Sequence, residues 1–154
     1  MPLNDLLAPN AVLPALRASS KKQALQELAQ HAAQLSNRDA REIFDTLLQR
    51  ERLGSTGVGN GIAIPHGKLP QLDKLFGVFA RLEKPIDFEA LDGAPVDLVF
   101  LLLAPEASGA DHLKALARVA RMLRDPEMVE KLRATRDADA IYRLLTATSA
   151  SDAA

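Results

Sequence analysis

One short segment, residues 54–68, holds the residue types in this sequence that are best suited to chemistry. Four glycines precede the apolar run at residues 62–64, which ends at Pro65, His66 and Gly67. Near neutral pH a histidine offers a lone pair on one ring nitrogen, while the other nitrogen can be held as a hydrogen-bond donor. Attack of that lone pair on a phosphoryl group gives a phosphorus–nitrogen bond that is readily cleaved. The segment therefore predicts reversible acceptance of a phosphoryl group at His66.

A phosphoryl group on this histidine carries negative charge that hydrogen-bond donors must hold. Glycines allow backbone N–H groups to approach closely, while Ser55 and Thr56 offer hydroxyl groups. Arg50 has a planar guanidinium that matches two phosphate oxygens, and it lies at the end of a predicted helix beside the glycines. We therefore predict Arg50 as the strong donor. The predicted phosphate-binding residues are Ser55, Thr56 and Gly67.

Residue types alone leave other interpretations of this segment open. A single histidine in a turn is more often an inert structural residue, and residues 50–52 resemble a solvated helix end. The glycines at residues 57–61 suggest a nucleotide-binding loop, but they precede a predicted strand. The dinucleotide fingerprint instead follows a strand and opens a helix, so we discount that interpretation.

The three histidines of the chain do not predict a metal site. His31, His66 and His112 lack the short spacing that is common among zinc ligands, and other ligands are missing from the motif. His31 lies at the edge of a predicted apolar helix stripe and is interpreted as structural or exposed. From residue types alone, His112 is interpreted as a surface residue in the first turn of a helix.

The composition indicates one folded domain and excludes several kinds of partner. Of the 154 residues, 47% are hydrophobic and 25% are charged, as in globular proteins. The 20 acidic and 19 basic side chains nearly cancel, so no overall field attracts nucleic acid or an anionic membrane. The absence of cysteine excludes disulfides and thiol nucleophiles. Because the sequence has neither a signal-peptide start nor a long apolar stretch, we expect a cytoplasmic protein without membrane insertion.

Apolar residues at helical spacing predict helices on both sides of the glycine segment. The first covers residues 20–35 with Ser19 or Ser20 as its cap, and the second runs from residue 37 or 39 to residue 52. Towards the C-terminus, Ser108 and Asp111 predict a capping box. The apolar stripe that follows includes Leu113, Leu116, Ala117, Ala120 and Leu123, and further helices are predicted from Pro126 and over residues 141–145.

Two apolar runs, residues 75–82 and 96–103, predict the central strands of a sheet. Residues 62–64 predict a brief strand that ends in a tight turn at residues 65–67, and residues 86–88 predict a short edge strand. The connection between the central strands is too short for a regular crossover. We therefore predict a single-domain α/β fold with a mixed β-sheet flanked by helices. Its core covers residues 3–146, and residues 147–154 form a flexible tail.

Residues 53–68, above all the run Gly-Asn-Gly-Ile-Ala-Ile-Pro-His-Gly, resemble the active-site signature of the fructose/mannitol-type (type 2) enzyme IIA of the bacterial phosphotransferase system. The resemblance implies the fold of that family. It also implies that His66 is the phosphorylated residue, commonly through Nε2, and that Arg50 contacts the site. A second active-site histidine of the family corresponds to His112.

The glycine-rich run at residues 54–61 is most similar to the nitrogen-regulatory branch of that family. This resemblance implies that an HPr-like phosphocarrier donates the phosphoryl group, that the protein acts on regulatory protein targets, and that no cofactor is needed. It further implies reversible in-line transfer in which Arg50 and backbone donors spread the charge and His112 helps to position the phosphoryl group. From their apolar character, Val58 and Leu69 are expected to form the dry part of a docking face.

Three functional classes remain open from the sequence. A phosphorelay regulator and a free-standing sugar-specific enzyme IIA both require phosphorylation of His66, but the second passes the group to a IIB transport component. A pure binding domain would carry His66 as an inert residue. The sequence does not identify a regulated target, and it leaves weak self-association of the chain open.

Overall fold

A mixed β-sheet lies at the centre of the fold and carries the histidine segment. The structure is a computed structural model that describes residues 3–147. In chain order, its elements are a 3-10 helix (Pro9–Ala11), β1 (Val12–Leu16), α1 (Lys21–Ser36), α2 (Ala40–Arg52), β2 (Gly57–Gly59), β3 (Ile62–Ala63), β4 (His66–Leu69), β5 (Phe76–Ile86), β6 (Val96–Pro105), α3 (Ala110–Met122), α4 (Pro126–Ala134) and α5 (Ala138–Thr146). Apart from Ala147, the predicted tail lies outside the described residues.

The strand order is β1-β5-β6-β3-β2, and β4 also pairs with β6. β5 and β6 are antiparallel, whereas β1 is parallel to β5 and both β3 and β4 are parallel to β6. This topology confirms the predicted mixed α/β fold with two central strands. The prediction of a separate edge strand at residues 86–88 is wrong, because Ile86 ends β5 itself and lies opposite Val96 of β6.

The position of β6 between two helical layers explains its almost unbroken apolar sequence. From Leu98 to Leu103, alternate residues of β6 pack in the cluster that includes α1 and α2, and the residues between them pack in the cluster that includes α3, α4 and α5. The first set includes Val99, Leu101 and Leu103, and the second includes Leu98, Phe100 and Leu102. Since helices cover both faces of the sheet, the central strand needs apolar side chains in both directions.

The ends of α1 and α2 agree with the prediction. Ser20 caps α1, and its hydroxyl accepts a hydrogen bond from the Gln23 N–H at 3.1 Å. α2 follows Asp39, and after its last residue Gly54 adopts a φ of 147°, which glycine tolerates without strain. Arg50 therefore lies in the last turn of α2, beside the glycine segment.

The capping box predicted at the start of α3 is wrong. The helix begins at Ala110 after Gly109, which adopts a φ of 57°, and no side chain caps it. The Asp111 N–H instead donates to the main-chain carbonyl of Ser108 at 3.2 Å. A cap at Ser108 would require the helix to begin one residue earlier. The buried face of α3 consists of His112, Ala115 and Val119.

The last two helices begin at aspartate caps. The Asp125 carboxylate accepts a hydrogen bond from the Glu127 N–H, and the Asp137 carboxylate accepts one from the Ala140 N–H. These helices agree with the two predicted after residue 125. Within residues 3–147, no helix has the length and apolar character needed to cross a bilayer.

The sequence does not predict the short strands β1, β2 and β4. β1 has five residues, contains Pro14 and lies at one edge of the sheet, where a missing N–H donor is tolerated. β2 is only a three-residue segment with glycine at both ends. Neither strand has the apolar alternation by which a strand is recognised in sequence. β4 contains His66 and belongs to the functional site.

Candidate functional site

His66 opens β4 at an interruption in the strand that flanks β6. β3 and β4 both run parallel to β6, with Ile64 and Pro65 between them. His66 lies opposite Leu102, and the Leu102 N–H donates to the Pro65 carbonyl at 3.0 Å. The prediction of a tight turn at residues 65–67 is therefore wrong. Proline lacks an N–H donor, but its carbonyl still joins the ladder.

Two hydrogen bonds fix the proton on the His66 ring. Nδ1 lies 2.9 Å from the Ile64 carbonyl oxygen, which only accepts, so Nδ1 must donate the proton. Nε2 lies 3.3 Å from Nε of Arg50, which only donates, so Nε2 carries the lone pair. The half-buried ring thus directs its nucleophilic nitrogen at a guanidinium.

Gly67 allows α2 to lie close enough to β4 for this contact. A Cβ atom at Gly67 would lie 2.7 Å from Cγ2 of Thr46 in α2. Arg50 stands one helical turn after Thr46 and reaches the His66 ring, while its Nη1 also donates to the Gly54 carbonyl at 3.0 Å. Close packing therefore accounts for a glycine at position 67. Phosphate binding by its backbone stays a prediction.

His112 completes a group of three side chains that come from three different elements. The ring centroids of His66 and His112 lie 5.6 Å apart, and the ring planes are tilted by 50°. His112 is in the first turn of α3 and is only 8% exposed, so its interpretation as a surface residue is wrong. Within residues 3–147 its Nδ1 has no hydrogen-bond partner. The structure thus brings together the three residues that the resemblance predicts.

Ser55 and Thr56 brace the loop after α2. The Ser55 hydroxyl donates to the Phe88 carbonyl at 2.7 Å and accepts from the Gly57 N–H at 3.0 Å. The buried Thr56 hydroxyl donates to the Glu51 carboxylate. In this structure both hydroxyls donate inside the loop, and phosphate binding by Ser55 and Thr56 stays a prediction.

His31 makes a structural contact, as predicted. Its Nε2 donates to the Asn10 carbonyl at 2.7 Å and so ties α1 to the segment before β1. Among the described residues 3–147, no three His, Cys, Asp or Glu side chains converge in a way that could hold a metal ion.

Comparison with known proteins identifies the family to which this arrangement belongs. Residues 5–148 match the family model described as phosphoenolpyruvate-dependent sugar phosphotransferase system, EIIA 2. The chain belongs to this enzyme IIA family. The enzyme IIA is 65% identical over 153 residues to a nitrogen regulatory protein of Bradyrhizobium diazoefficiens, and the match covers 99% of this chain and 100% of that relative.

Solved structures support the same assignment. The crystal structure of nitrogen regulatory protein IIA-Ntr from Neisseria meningitidis has a TM-score of 0.87 and 33% identity, and the match covers 92% of this chain and 97% of that one. IIA mannitol from Escherichia coli has a TM-score of 0.77 at 21% identity over 90% of this chain and 98% of its own, which shows a shared fold. The relatives place this enzyme IIA in the nitrogen-regulatory branch.

Both histidine rings of the enzyme IIA site favour the neutral form. Burial lowers the pKa of His66, and the positive charge of Arg50 lowers this pKa further, against an opposing effect of the hydrogen bond to the Ile64 carbonyl. Burial also lowers the pKa of His112, together with the charges of His66 and Lys68. The Nε2 lone pair of His66 is therefore available at neutral pH.

These lowered pKa values predict how the stability of the enzyme IIA depends on pH. The unfolded chain binds protons on its histidines below about pH 6.5, before the folded rings do. The free energy of unfolding should therefore decline as the pH falls below that value and should not depend on these rings above it. Urea unfolding at several pH values measures the decline. It should be smaller in His66→Gln, and an equal decline in both proteins would contradict the prediction.

Glu51 is a residue of the enzyme IIA site region that the sequence interpretation missed. It was predicted to belong to a solvated helix end, yet it is buried beside Thr56 and Lys21. The signal was its spacing, because Ile43, Leu47 and Glu51 follow one another at intervals of four residues and form the buried face of α2. A glutamate on an apolar stripe indicates a buried and partnered carboxylate.

The apolar surface near the site differs from the prediction. Leu69 is fully buried, so its predicted place on a docking face is wrong, whereas Val58 is exposed. β4 turns Leu69 towards the cluster that includes α1 and α2 residues, and Lys68 points the other way. Two other large apolar side chains are also exposed: Leu53, at 84%, precedes Gly54 in sequence, and Leu113, at 66%, follows His112. They are candidates for a docking contact of this enzyme IIA, and docking at Val58 stays a prediction.

Proposed function

We propose that this enzyme IIA is a phosphoryl carrier of a nitrogen-regulatory phosphotransferase system. In this proposal, Nε2 of His66 accepts the phosphoryl group from an HPr-like phosphocarrier in the cytoplasm. The phosphorylated and unphosphorylated chains then differ in their binding to regulatory protein targets. The nitrogen regulatory proteins named among its relatives support this choice of branch.

The observation that carries the proposal is the lone pair of His66 Nε2. The ring is held by the Ile64 carbonyl, which accepts from Nδ1, and by the Arg50 guanidinium, which donates to Nε2. An inert structural histidine gains nothing from a cation placed against its free nitrogen, because that cation lowers the basicity of the ring. A phosphoryl acceptor does gain, since the same cation stabilises the incoming oxygens.

The proposed transfer needs no proton acceptor. The Nε2 lone pair attacks phosphorus in line with the departing donor nitrogen, and a new phosphorus–nitrogen bond forms as the old one breaks. The electron pair of the broken bond returns to the donor ring. The proton on Nδ1 of His66 stays against the Ile64 carbonyl throughout. Transfer in the reverse direction also needs no proton acceptor, so the protein can both accept and pass on the phosphoryl group.

Arg50 and His112 would share the charge that arrives with the phosphoryl group. The guanidinium would exchange its hydrogen bond to the ring nitrogen for hydrogen bonds to phosphoryl oxygens, while the Gly54 carbonyl keeps it near the ring. His112 lies in the first turn of α3, where the partial positive charge of a helix N-terminus also attracts anions. Together these groups would hold the phosphoryl group on the side of the ring that faces α3.

Regulation would follow from the change in charge at this surface. A phosphoryl group adds about two negative charges at neutral pH. It would add them at a site whose sequence neighbours include the exposed Leu53 and Leu113, which a partner protein can contact. A target that packs on these leucines in one phosphorylation state would lose charge complementarity in the other.

Phosphorylation of the purified chain tests the proposal. We would incubate it first with phosphoramidate, a small phosphoryl donor, and then with an HPr-like phosphocarrier, and would measure acid-labile phosphate by intact mass. One phosphoryl group per chain is expected, with faster labelling by the phosphocarrier. Pull-downs with the two forms would then identify targets that prefer one of them.

The other functional classes give different outcomes in the same experiment. Efficient transfer onward to a IIB transport component would favour a sugar-specific enzyme IIA over the regulatory assignment. A chain that neither donor labels would be a binding domain with an inert histidine, and the proposal would be rejected.

A further inference from the structure

A buried carboxylate next to the site has no part in the transfer chemistry described above. Glu51 is 7% exposed, and its carboxylate accepts a hydrogen bond from the Thr56 N–H at 3.0 Å as well as one from the Thr56 hydroxyl. Nζ of Lys21 lies 2.9 Å from the same carboxylate. Glu51 therefore joins α1, α2 and the loop after α2 at one buried point.

The ion pair between Lys21 and Glu51 is costly to bury. Only 15% of the Lys21 side chain and 3% of the Glu51 side chain remain exposed. Removing two charges from water carries a penalty that their attraction does not always offset, and apolar pairs of similar size are often as stable. A contribution to stability is therefore a weak explanation for this ion pair. The position of the two residues suggests a role in the function of the site.

A short path of hydrogen bonds connects Glu51 to the guanidinium of the site. The Glu51 carboxylate holds Thr56, and the Glu51 carbonyl accepts from the Gly54 N–H at 3.1 Å. The Gly54 carbonyl in turn accepts from Nη1 of Arg50 at 3.0 Å. Glu51 thus holds both ends of the three-residue segment whose first carbonyl orients Arg50.

We propose that Glu51, held by Lys21, is a positioning residue for phosphoryl transfer. It fixes residues 54–56 so that the Gly54 carbonyl keeps the Arg50 guanidinium at Nε2 of His66. This inference rests on the proposed function of His66 and adds a residue to it. Glu51 acts through Arg50, and the transfer chemistry gives it no contact with the phosphoryl group.

The charge of Glu51 gives the inference a readout that a purely structural brace would not have. Its negative charge raises the pKa of His66, against the effects of burial and of Arg50. Arg50 and His112 also lie next to the His66 ring, and Lys68 acts on His112. Removing the Glu51 charge while keeping its shape should therefore lower the pKa of His66.

The test compares Glu51→Gln with Glu89→Gln, using phosphoramidate as the donor. Glu89 is a matched control, because it contacts the same Lys21 at 3.5 Å but is 75% exposed. We expect Glu51→Gln to slow labelling of His66 by about 10-fold, as small misplacements of a catalytic group do. NMR titration should show a lowered His66 pKa. Glu89→Gln should match the wild type in both measurements.

A coupled variant separates positioning from general loss of structure. In an Arg50→Lys background, Glu51→Gln should slow labelling little further, because both changes remove the same interaction. Thr56→Val keeps the backbone hydrogen bond to Glu51 and loses the hydroxyl one, so it should slow labelling less than Glu51→Gln does. If Glu51→Gln does not fold, the labelling rate of Thr56→Val tests the inference. Effects of Glu51→Gln and Arg50→Lys that multiply would overturn the inference.

Failure of this inference is distinct from failure of the proposed function. A wild-type chain that no donor labels would reject the function itself. A wild-type chain that labels normally, with Glu51→Gln and Thr56→Val equal to Glu89→Gln in rate and in His66 titration, would reject only the positioning role.

Discussion

Replacement of His66 with alanine is expected to reduce phosphoryl labelling of this enzyme IIA to background with either donor. The reason is that the structure provides one imidazole whose lone pair is held ready by two hydrogen bonds, from the Arg50 guanidinium and to the Ile64 carbonyl. Without that nitrogen no phosphorus–nitrogen bond can form at the site. Intact mass after incubation with phosphoramidate measures the loss.

Two further histidine variants make the His66→Ala result specific. His31→Ala removes an imidazole that contacts the Asn10 carbonyl and should leave labelling unchanged. His112→Ala should still be labelled, but slowly, because the second ring is expected to position the phosphoryl group without bonding to it. Circular dichroism would establish that each variant is folded. Full labelling of His66→Ala would show that the acceptor lies elsewhere.

Replacement of Arg50 with lysine is expected to slow labelling of His66 by about 10²-fold, as is typical when one preorganised donor to a transition state is lost. Lysine keeps the positive charge but lacks the planar fork that can contact the Gly54 carbonyl and the phosphoryl oxygens together. The expected effect is therefore on the rate of transfer more than on donor binding. Initial rates over a range of phosphoramidate concentrations separate the two.

Arg52→Lys is the matched control for this change. Arg52 ends the same helix two residues later, and it is exposed. The same substitution there alters the same kind of side chain without touching the histidine. We expect wild-type rates from Arg52→Lys. Equal slowing in the two variants would mean that the contact of the Arg50 guanidinium with His66 is not the cause of the effect.

The central part of the fold was predictable because burial on both faces leaves a strong trace in sequence. An apolar run such as residues 96–103 is consistent with few other structures. The strand that contains His66 left no such trace. Pro65 and Gly67 are typical of turns, and only the partner strand β6 shows that the Pro65 carbonyl continues a ladder. Tertiary pairing therefore overrode the local preference.

The functional site, like the fold, was predictable only in part. The residue types predicted His66 and Arg50, the family resemblance added His112, and the structure brings these three together. The buried state of His112 was not predictable from its neighbours in sequence, since it depends on how α3 packs on the sheet. The hydroxyls of Ser55 and Thr56 were predicted as ligands because their chemistry suits phosphate. Their actual partners, Phe88 and Glu51, are fixed by loop geometry that residue types do not encode.

The pairing of His66 with Leu102 limits how the chain can change between β3 and β4. Side chains alternate across a sheet, so a shift of one residue would turn the imidazole towards α2 and away from α3. Insertions or deletions at the Ile64–Pro65 interruption would thus erase the acceptor while leaving most of the core intact. In directed evolution of this protein, the length of that interruption should prove far less tolerant than its composition.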